Sequence, residues 1–205
     1  MKDFGQNTNP MSEKKLAGKF LVAAPNMVDP NFAKTVVYIA LHSEIEGALG
    51  VVINRPSSVT MREIFEQLQV PSDGEAADIP IGWGGPVQTN HGYILHSVES
   101  DWAVTIAQTE TVALSISRDI IEAMSAGTGP EQVYAALGCS SWAPGQLESE
   151  IARGGWLIAP ATNEVIFSLA PDKRYAAALA LVGLDESPDL EPLAGAFTSG
   201  VVGHA

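Results

Sequence analysis

The chemically capable side chains of this sequence are few, and they concentrate at the ends of apolar runs. His42 directly follows one strand-like run and His96 another. Imidazole titrates near neutrality, so either is a candidate general base. A structural, hydrogen-bonded histidine at a strand end is the plainer alternative. Together with His91 and His204 they show none of the helical spacing that builds a metal site, and there is no His-Glu-x-x-His. No metal is expected. No Gly-Lys-Ser or Gly-Lys-Thr occurs either, which removes the Walker loop, and no cofactor is implied.

Gly138-Cys139-Ser140-Ser141-Trp142 imitates a nucleophile elbow, with Ser140 in the serine position. That motif needs a second glycine because its sharp turn leaves no room for side chains, and Trp142 stands where the glycine belongs. Cys139 has no basic neighbour in sequence to lower its pKa, so it reads as a buried structural cysteine. In Ser117-Arg118-Asp119, Ser117 is expected to cap a helix and Asp119 to meet its positive end. Arg118 is unfavourable there, which makes it a candidate for anion binding. Asn54-Arg55-Pro56 closes a strand, and polar groups collected at strand ends are where α/β proteins place ligands. The segment Trp142 to Glu148 combines a broad aromatic face, a flexible glycine and two polar side chains. Pro144 is expected at the first helical position, with Gln146 and Glu148 in the opening turns. His42, Asn54, Arg118, Trp142, Gln146 and Glu148 are therefore the candidate functional surface. The structural alternative is that Glu148 complements the helix dipole while Trp142 fills the core.

The elements that must position these residues are legible in outline. Lys19–Ala24, Thr35–Leu41 and Ala48–Ile53 are strand-like and continuously apolar, as strands covered on both faces are. Thr60 and Glu63 form a capping box before a helix whose apolar stripe is Ile64, Phe65 and Leu68; Pro71-Ser72-Asp73-Gly74 ends it. Ile79–Ile81, Tyr93–Leu95, Ala103–Ala107 and Val112–Ser115 are further strand candidates. Ile120, Ile121 and Met124 mark a second helix, closed by Gly127. Gln132–Leu137 fits a buried strand or a helix end, and the following Gly138–Ser141 breaks it in either case. Leu147 and Ile151 give a third helix its apolar face. Trp156–Ile158 and Val165–Phe167 read as a hairpin, and Asp172–Val182 as an alanine-rich helix. Residues 1–15 read as a disordered arm, 16–205 as a single domain, and the tail Ser187–Ala205 as irregular.

The bulk numbers bound the function. The chain has 205 residues, 46% of them hydrophobic and 17% charged, enough to bury a substantial core. No apolar run approaches the roughly 18 residues needed to span a bilayer, and the polar N-terminus lacks the apolar segment of a signal peptide. With Cys139 alone, no intramolecular disulfide is possible, and a cytoplasmic address with no membrane attachment is the expectation. Eleven basic residues stand against 24 acidic ones, for a net charge of −13. Direct DNA binding, which rests on clustered Lys and Arg, is not expected.

Taken in order, these segments resemble the AlgH/YqgE family of bacterial proteins from about Gly18 to Ala205. The resemblance rests on Phe20–Pro25 with Met27 and Asp29-Pro30, Thr35–Tyr38 with His42, Gly47-Ala48 with Gly50, and Asn54 with Pro56. It continues through Gly84-Gly85-Pro86, Gly92 with Leu95-His96, and Ser117-Arg118-Asp119. The most specific stretch is Leu137-Gly138, Trp142, Gly145-Gln146-Leu147-Glu148 and Glu150-Ile151 with Trp156-Leu157; the ending Gly203-His204-Ala205 also matches. Cys139 departs from the tyrosine of that pattern, and Tyr175 from its tryptophan. The resemblance implies an α/β fold with a complex mixed sheet, bifurcated and barrel-like, flanked by several α-helices. It supplies no cofactor and no catalytic residue, and the family's label of transcriptional regulator comes from a genetic association with alginate production. Two functional classes remain. One is a non-catalytic regulatory protein that binds a small molecule or protein partner and acts indirectly on gene expression. The other is an enzyme acting on a small molecule through a pocket near His42, Arg118 and Glu148.

Overall fold

The computed structural model describes residues 16–71 and 73–184; the expected N-terminal arm and the tail from Ser187 lie outside the described residues. In chain order the elements are β1 (Lys19–Ala23), β2 (Val36–Ser43), β3 (Gly47–Val52), β4 (Pro56–Thr60), α1 (Met61–Leu68), β5 (Pro80–Trp83) and β6 (Val87–His96). Then follow β7 (Thr105–Gln108), β8 (Ala113–Ser115), α2 (Arg118–Ser125), β9 (Val133–Trp142), α3 (Gln146–Ala152), β10 (Trp156–Pro160) and α4 (Pro171–Ala180). A short 3₁₀ turn at Glu75–Asp78 precedes β5.

The sheet runs β10-β1-β2-β3-β9-β6-β8-β7, with β4 and β5 off this path. It is the curved, half-barrel-like mixed sheet that the family resemblance implied. Its branch point is β9. One edge of β9 pairs with β6. The other is divided: Ala135–Leu137 take β5 in parallel, and Ser140–Trp142 take β3 antiparallel. Gly138 sits at the division with φ +77, and a Cβ there would lie 2.4 Å from the Gly85 carbonyl oxygen. The expected break at Gly138–Ser141 is therefore corrected. Glycine bends the strand where two backbones touch, and the strand continues to Trp142.

Two clusters of buried side chains flank this framework. The larger joins β1, β2, β3 and β10 to α3 and α4, with Phe20, Tyr38, Ile53, Leu147 and Ile166 at its centre. The continuous apolar runs of β1 and β2 have buried residues at nearly every position, as expected of strands covered on both faces. The second cluster gathers Met61, Phe65, Ile81, Ile94, Ile120 and Met124 from α1, α2 and the strands between them.

The α1 capping box forms as the sequence predicts. The Glu63 N–H donates to the Thr60 hydroxyl, and the Glu63 carboxylate accepts the Thr60 N–H at 2.7 Å. Three further expectations need correction. Val165–Phe167 is not a hairpin strand but part of a π-helical turn, Glu164–Ser168, and β10 pairs with β1 instead. The sequence reading missed β4, whose serines and terminal proline carry no apolar alternation beyond Val59. Finally, α3 begins at Gln146, because Gly145 takes the left-handed conformation at φ +73 and turns the chain after Pro144.

Candidate functional site

Helix α3 gives its buried face, centred on Leu147, to the larger core, and its polar positions fall on two sides. Gln146, Glu150 and the following Arg153 line one concavity, while Glu148, Ile151 and Ala152 line another. The three- and four-residue spacings of a helix produce this division.

The first concavity has a volume of about 340 Å³ and is walled by Met27, Phe32, Trp142, Trp156, Gln146 and Glu150. Glu150 organises it. Its Oε2 accepts the indole N–H groups of Trp142 and Trp156, each at 2.9 Å, and its Oε1 accepts the Gln146 amide at 2.9 Å. Burial pushes the Glu150 carboxyl toward the neutral form, but the three donors, with Arg153 nearby, outweigh it and hold it below the usual glutamate range. Gln146 is fixed in turn, since its carbonyl oxygen accepts the Ala143 N–H at 3.0 Å. Phe32 packs on Trp142 at 6.3 Å and edge-on to Trp156 at 5.4 Å between ring centroids.

The second concavity, about 450 Å³, is lined by Leu16, His42, Glu44, Glu148, Ile151 and Ile158. Here the His42 Nε2 lies 2.7 Å from Glu148 Oε1, with the imidazole 3% exposed and the carboxylate 45%. His42 belongs to β2, opposite Ala48, and does not follow the strand as the sequence implied. A carboxylate on one ring nitrogen fixes the orientation of the imidazole, the arrangement found where a side chain passes a proton. The His42 Nδ1 is buried with no hydrogen-bond partner among the described residues.

The sequence-derived surface thus separates into parts. Trp142 and Gln146 share one concavity, His42 and Glu148 the other. Asn54 lines neither. Its Oδ1 accepts the Val36 N–H and its Nδ2 donates to the Lys34 carbonyl, both at 2.8 Å, which clamps the entry to β2. Arg118 is exposed at the start of α2, donating to Glu122 at 2.7 Å and to the Leu68 carbonyl at 3.0 Å. It joins α2 to the end of α1 and lies apart from His42. Ser117 holds the N-cap position by backbone geometry alone, with no side-chain capping bond. Asp119 accepts the Ile120 and Ala103 N–H groups.

Ser140 is fully buried in mid-strand, its hydroxyl 3.4 Å from the Gly84 carbonyl, which excludes the elbow geometry. Cys139 is buried, and burial pushes its thiol up. His96 is satisfied on both nitrogens: Nδ1–H donates to the Ser97 carbonyl at 2.7 Å and Nε2 accepts from the Ser115 hydroxyl at 2.9 Å. Sequence reasoning missed Glu150, Trp156 and Phe32 as site residues. A usable signal was present: Gln146 and Glu150 are four apart on one helix face, and two tryptophans nearby need acceptors. Among the described residues no group of three or more His, Cys, Asp or Glu could hold a metal ion, and no helix is long and apolar enough to cross a membrane.

The family model described as AlgH-like matches residues 20–187. A UPF0301 protein of Thioalkalivibrio sulfidiphilus is 42% identical across 95% of this chain and 99% of its own length. One of Methylococcus capsulatus is 45% identical across 84% and 92% respectively. The solution structure of the AlgH protein from Pseudomonas aeruginosa superposes with a TM-score of 0.72 at 41% identity, covering 90% of this chain and 94% of that one. A crystal structure from Corynebacterium diphtheriae, at 24% identity, shares the fold with a TM-score of 0.61 over 80% of this chain and 85% of that one.

Proposed function

The chain belongs to the AlgH-like family, and on that premise we propose that it is a non-catalytic binding protein whose effect on gene expression is indirect. Its binding site in this reading is the aromatic concavity beside α3. The observation that carries the proposal is the state of Glu150, whose two oxygens already take three N–H donors. A carboxylate so engaged is a poor base and a good scaffold, because it locks two indoles in fixed orientations. The walls are mainly apolar, formed by the rings of Phe32, Trp142 and Trp156 with Met27, Pro86 and Val87, and Asp29, Glu150 and Arg153 are the charged groups. Few polar groups among apolar walls is the usual composition of a small-ligand site. The net charge of −13 supports an indirect route to gene expression, since direct binding to DNA would set like charges together.

The test is mass spectrometry of small molecules released from purified protein, with Phe32→Ala and Gln146→Ala alongside. The expected result is a compound retained by the wild type and lost from both variants while thermal unfolding remains cooperative. Retention unaffected by both variants, or no compound retained and no tryptophan fluorescence response to candidate ligands, refutes the reading.

The 2.7 Å contact between His42 and Glu148 favours a second reading, an enzyme that moves a proton in the neighbouring concavity. Arg118 takes no part in it, since its guanidinium is committed to Glu122 and Leu68. A cellular phenotype lost in both His42→Gln and Glu148→Gln, but kept in Phe32→Ala, selects this reading over the first.

A further inference from the structure

A third concavity, about 170 Å³, lies in the second core cluster between α1, α2 and strands β5, β6 and β9. Met61, Ile64, Ile81, Ile94 and Ile121 form much of its wall. In a chain whose net charge is −13, no charged side chain among the described residues lines it; the polar groups are the amides of Gln67 and Asn90. It shares no residue with either concavity beside α3.

The strand geometry keeps this space open. Val87 pairs with Cys139 and Gly92 with Leu137, so residues 88–91 arch out opposite Gly138 alone. The arch brings Asn90 into the lining, and its return lands on Gly92, where an added Cβ would meet nothing within 4 Å. Met61, Ile81 and Ile94 are buried, whereas Ile64 and Ile121 on the two helices are only partly covered. The helices therefore flank the opening without closing it. An apolar cavity of roughly 150 Å³ in a protein core holds a benzene molecule.

We propose that this cavity is a binding site for a small neutral ligand: one apolar ring or branched aliphatic body with a single hydrogen-bonding substituent. The body packs on Met61, Ile81 and Ile94, and the substituent meets the amides of Gln67 and Asn90. Charged ligands are rejected because nothing in the lining compensates their desolvation.

The experiment follows isoleucine and methionine methyl resonances of the full chain while benzamide is added, with benzoate and acetamide as comparisons. The expected result is saturable shifts at Met61, Ile81 and Ile94 with benzamide, binding of benzoate at least about tenfold weaker, and no saturation with acetamide. Ile121→Phe and Ile64→Phe fill the space from different helices at part-exposed positions, and either one that retains the wild-type spectrum elsewhere abolishes the benzamide shifts. Absence of saturable shifts in the wild type overturns the proposal. So do shifts confined to exposed methyls, equal binding of benzoate, or undiminished binding in a folded variant. Because the readout residues lie outside both concavities beside α3, the result is independent of the function proposed there.

Discussion

The indole N–H of Trp156 donates to Glu150 Oε2 at 2.9 Å, and the same oxygen takes the Trp142 indole at the same distance. This joins the end of β9, the middle of α3 and the start of β10 through one carboxylate. Glutamine at position 150 keeps the shape but offers one oxygen and an amide donor where two acceptors are required. Glu150→Gln is expected to destabilise the fold by about 1–3 kcal/mol, measured by urea denaturation. Gln146→Ala loses a single bond on each side and is expected to cost about 1 kcal/mol.

Acid sensitivity should begin with His96 and continue through Glu150. Burial pushes the His96 imidazole below its ordinary value, against the opposing pull of the Ser97 carbonyl and Glu99. The unfolded chain then binds a proton more readily than the folded one, so stability is complete above about pH 6.5 and falls as pH drops below it. Glu150 is also lowered in the fold, so its contribution is present above the ordinary glutamate value of about 4.3 and is lost on further acidification. Denaturation midpoints between pH 8 and pH 3 are expected to decline in these two stages. Glu150→Gln is expected to make the second shallower, with Glu99 and Asp119, also held below their ordinary values in the fold, supplying the rest.

The thiol of Cys139 is expected to be inert. It is buried on β9, and burial pushes its pKa up, so little thiolate forms at neutral pH. Alkylation by iodoacetamide should be slow in the native protein and rapid in denaturant. Cys139→Ala is expected to cost about 1 kcal/mol and to leave ligand retention unchanged.

How much of this was readable beforehand depends on the range of the determining interaction. The α1 capping box is local, and Thr60 with Glu63 announced it. The buried strands announced themselves by continuous apolar runs. The path of β9 was hidden because Gly138 is required by Gly85, 53 positions away in sequence, and local reading turns such a glycine into a break. The pairing of His42 with Glu148 spans 106 positions, so residue type and placement mark each of them while their contact stays invisible in the sequence. Glu150 is not legible in the sequence because an acid on a polar helix face looks like a solvated one until the fold brings the two indoles to it.

Arg174 shows the same limit of local reading. In sequence it is half of a Lys173-Arg174 basic pair, yet Lys173 is exposed and Arg174 is buried. Its guanidinium donates to the Ile53 carbonyl and, through Nε, to the Leu169 carbonyl at 2.9 Å. It also lies 4.9 Å from the centre of the Tyr134 ring. Tyr134 donates in turn to the Val52 carbonyl at 3.1 Å, so the end of β3, the middle of the sheet and the first turn of α4 meet at one cation. Carbonyls and a ring face replace a carboxylate here, and burial draws the guanidinium's pKa down against the opposing pull of Tyr134. Arg174→Met preserves much of the packing but leaves buried carbonyls without donors, for an expected loss of about 2–4 kcal/mol. Arg174→Lys restores the charge but not the planar fork that reaches two carbonyls at once, so it should recover only part of that loss. Urea denaturation of the three proteins checks the order wild type, lysine, methionine. A lysine variant as stable as the wild type would show that charge alone, and not the two-pronged geometry, holds α4 against the sheet.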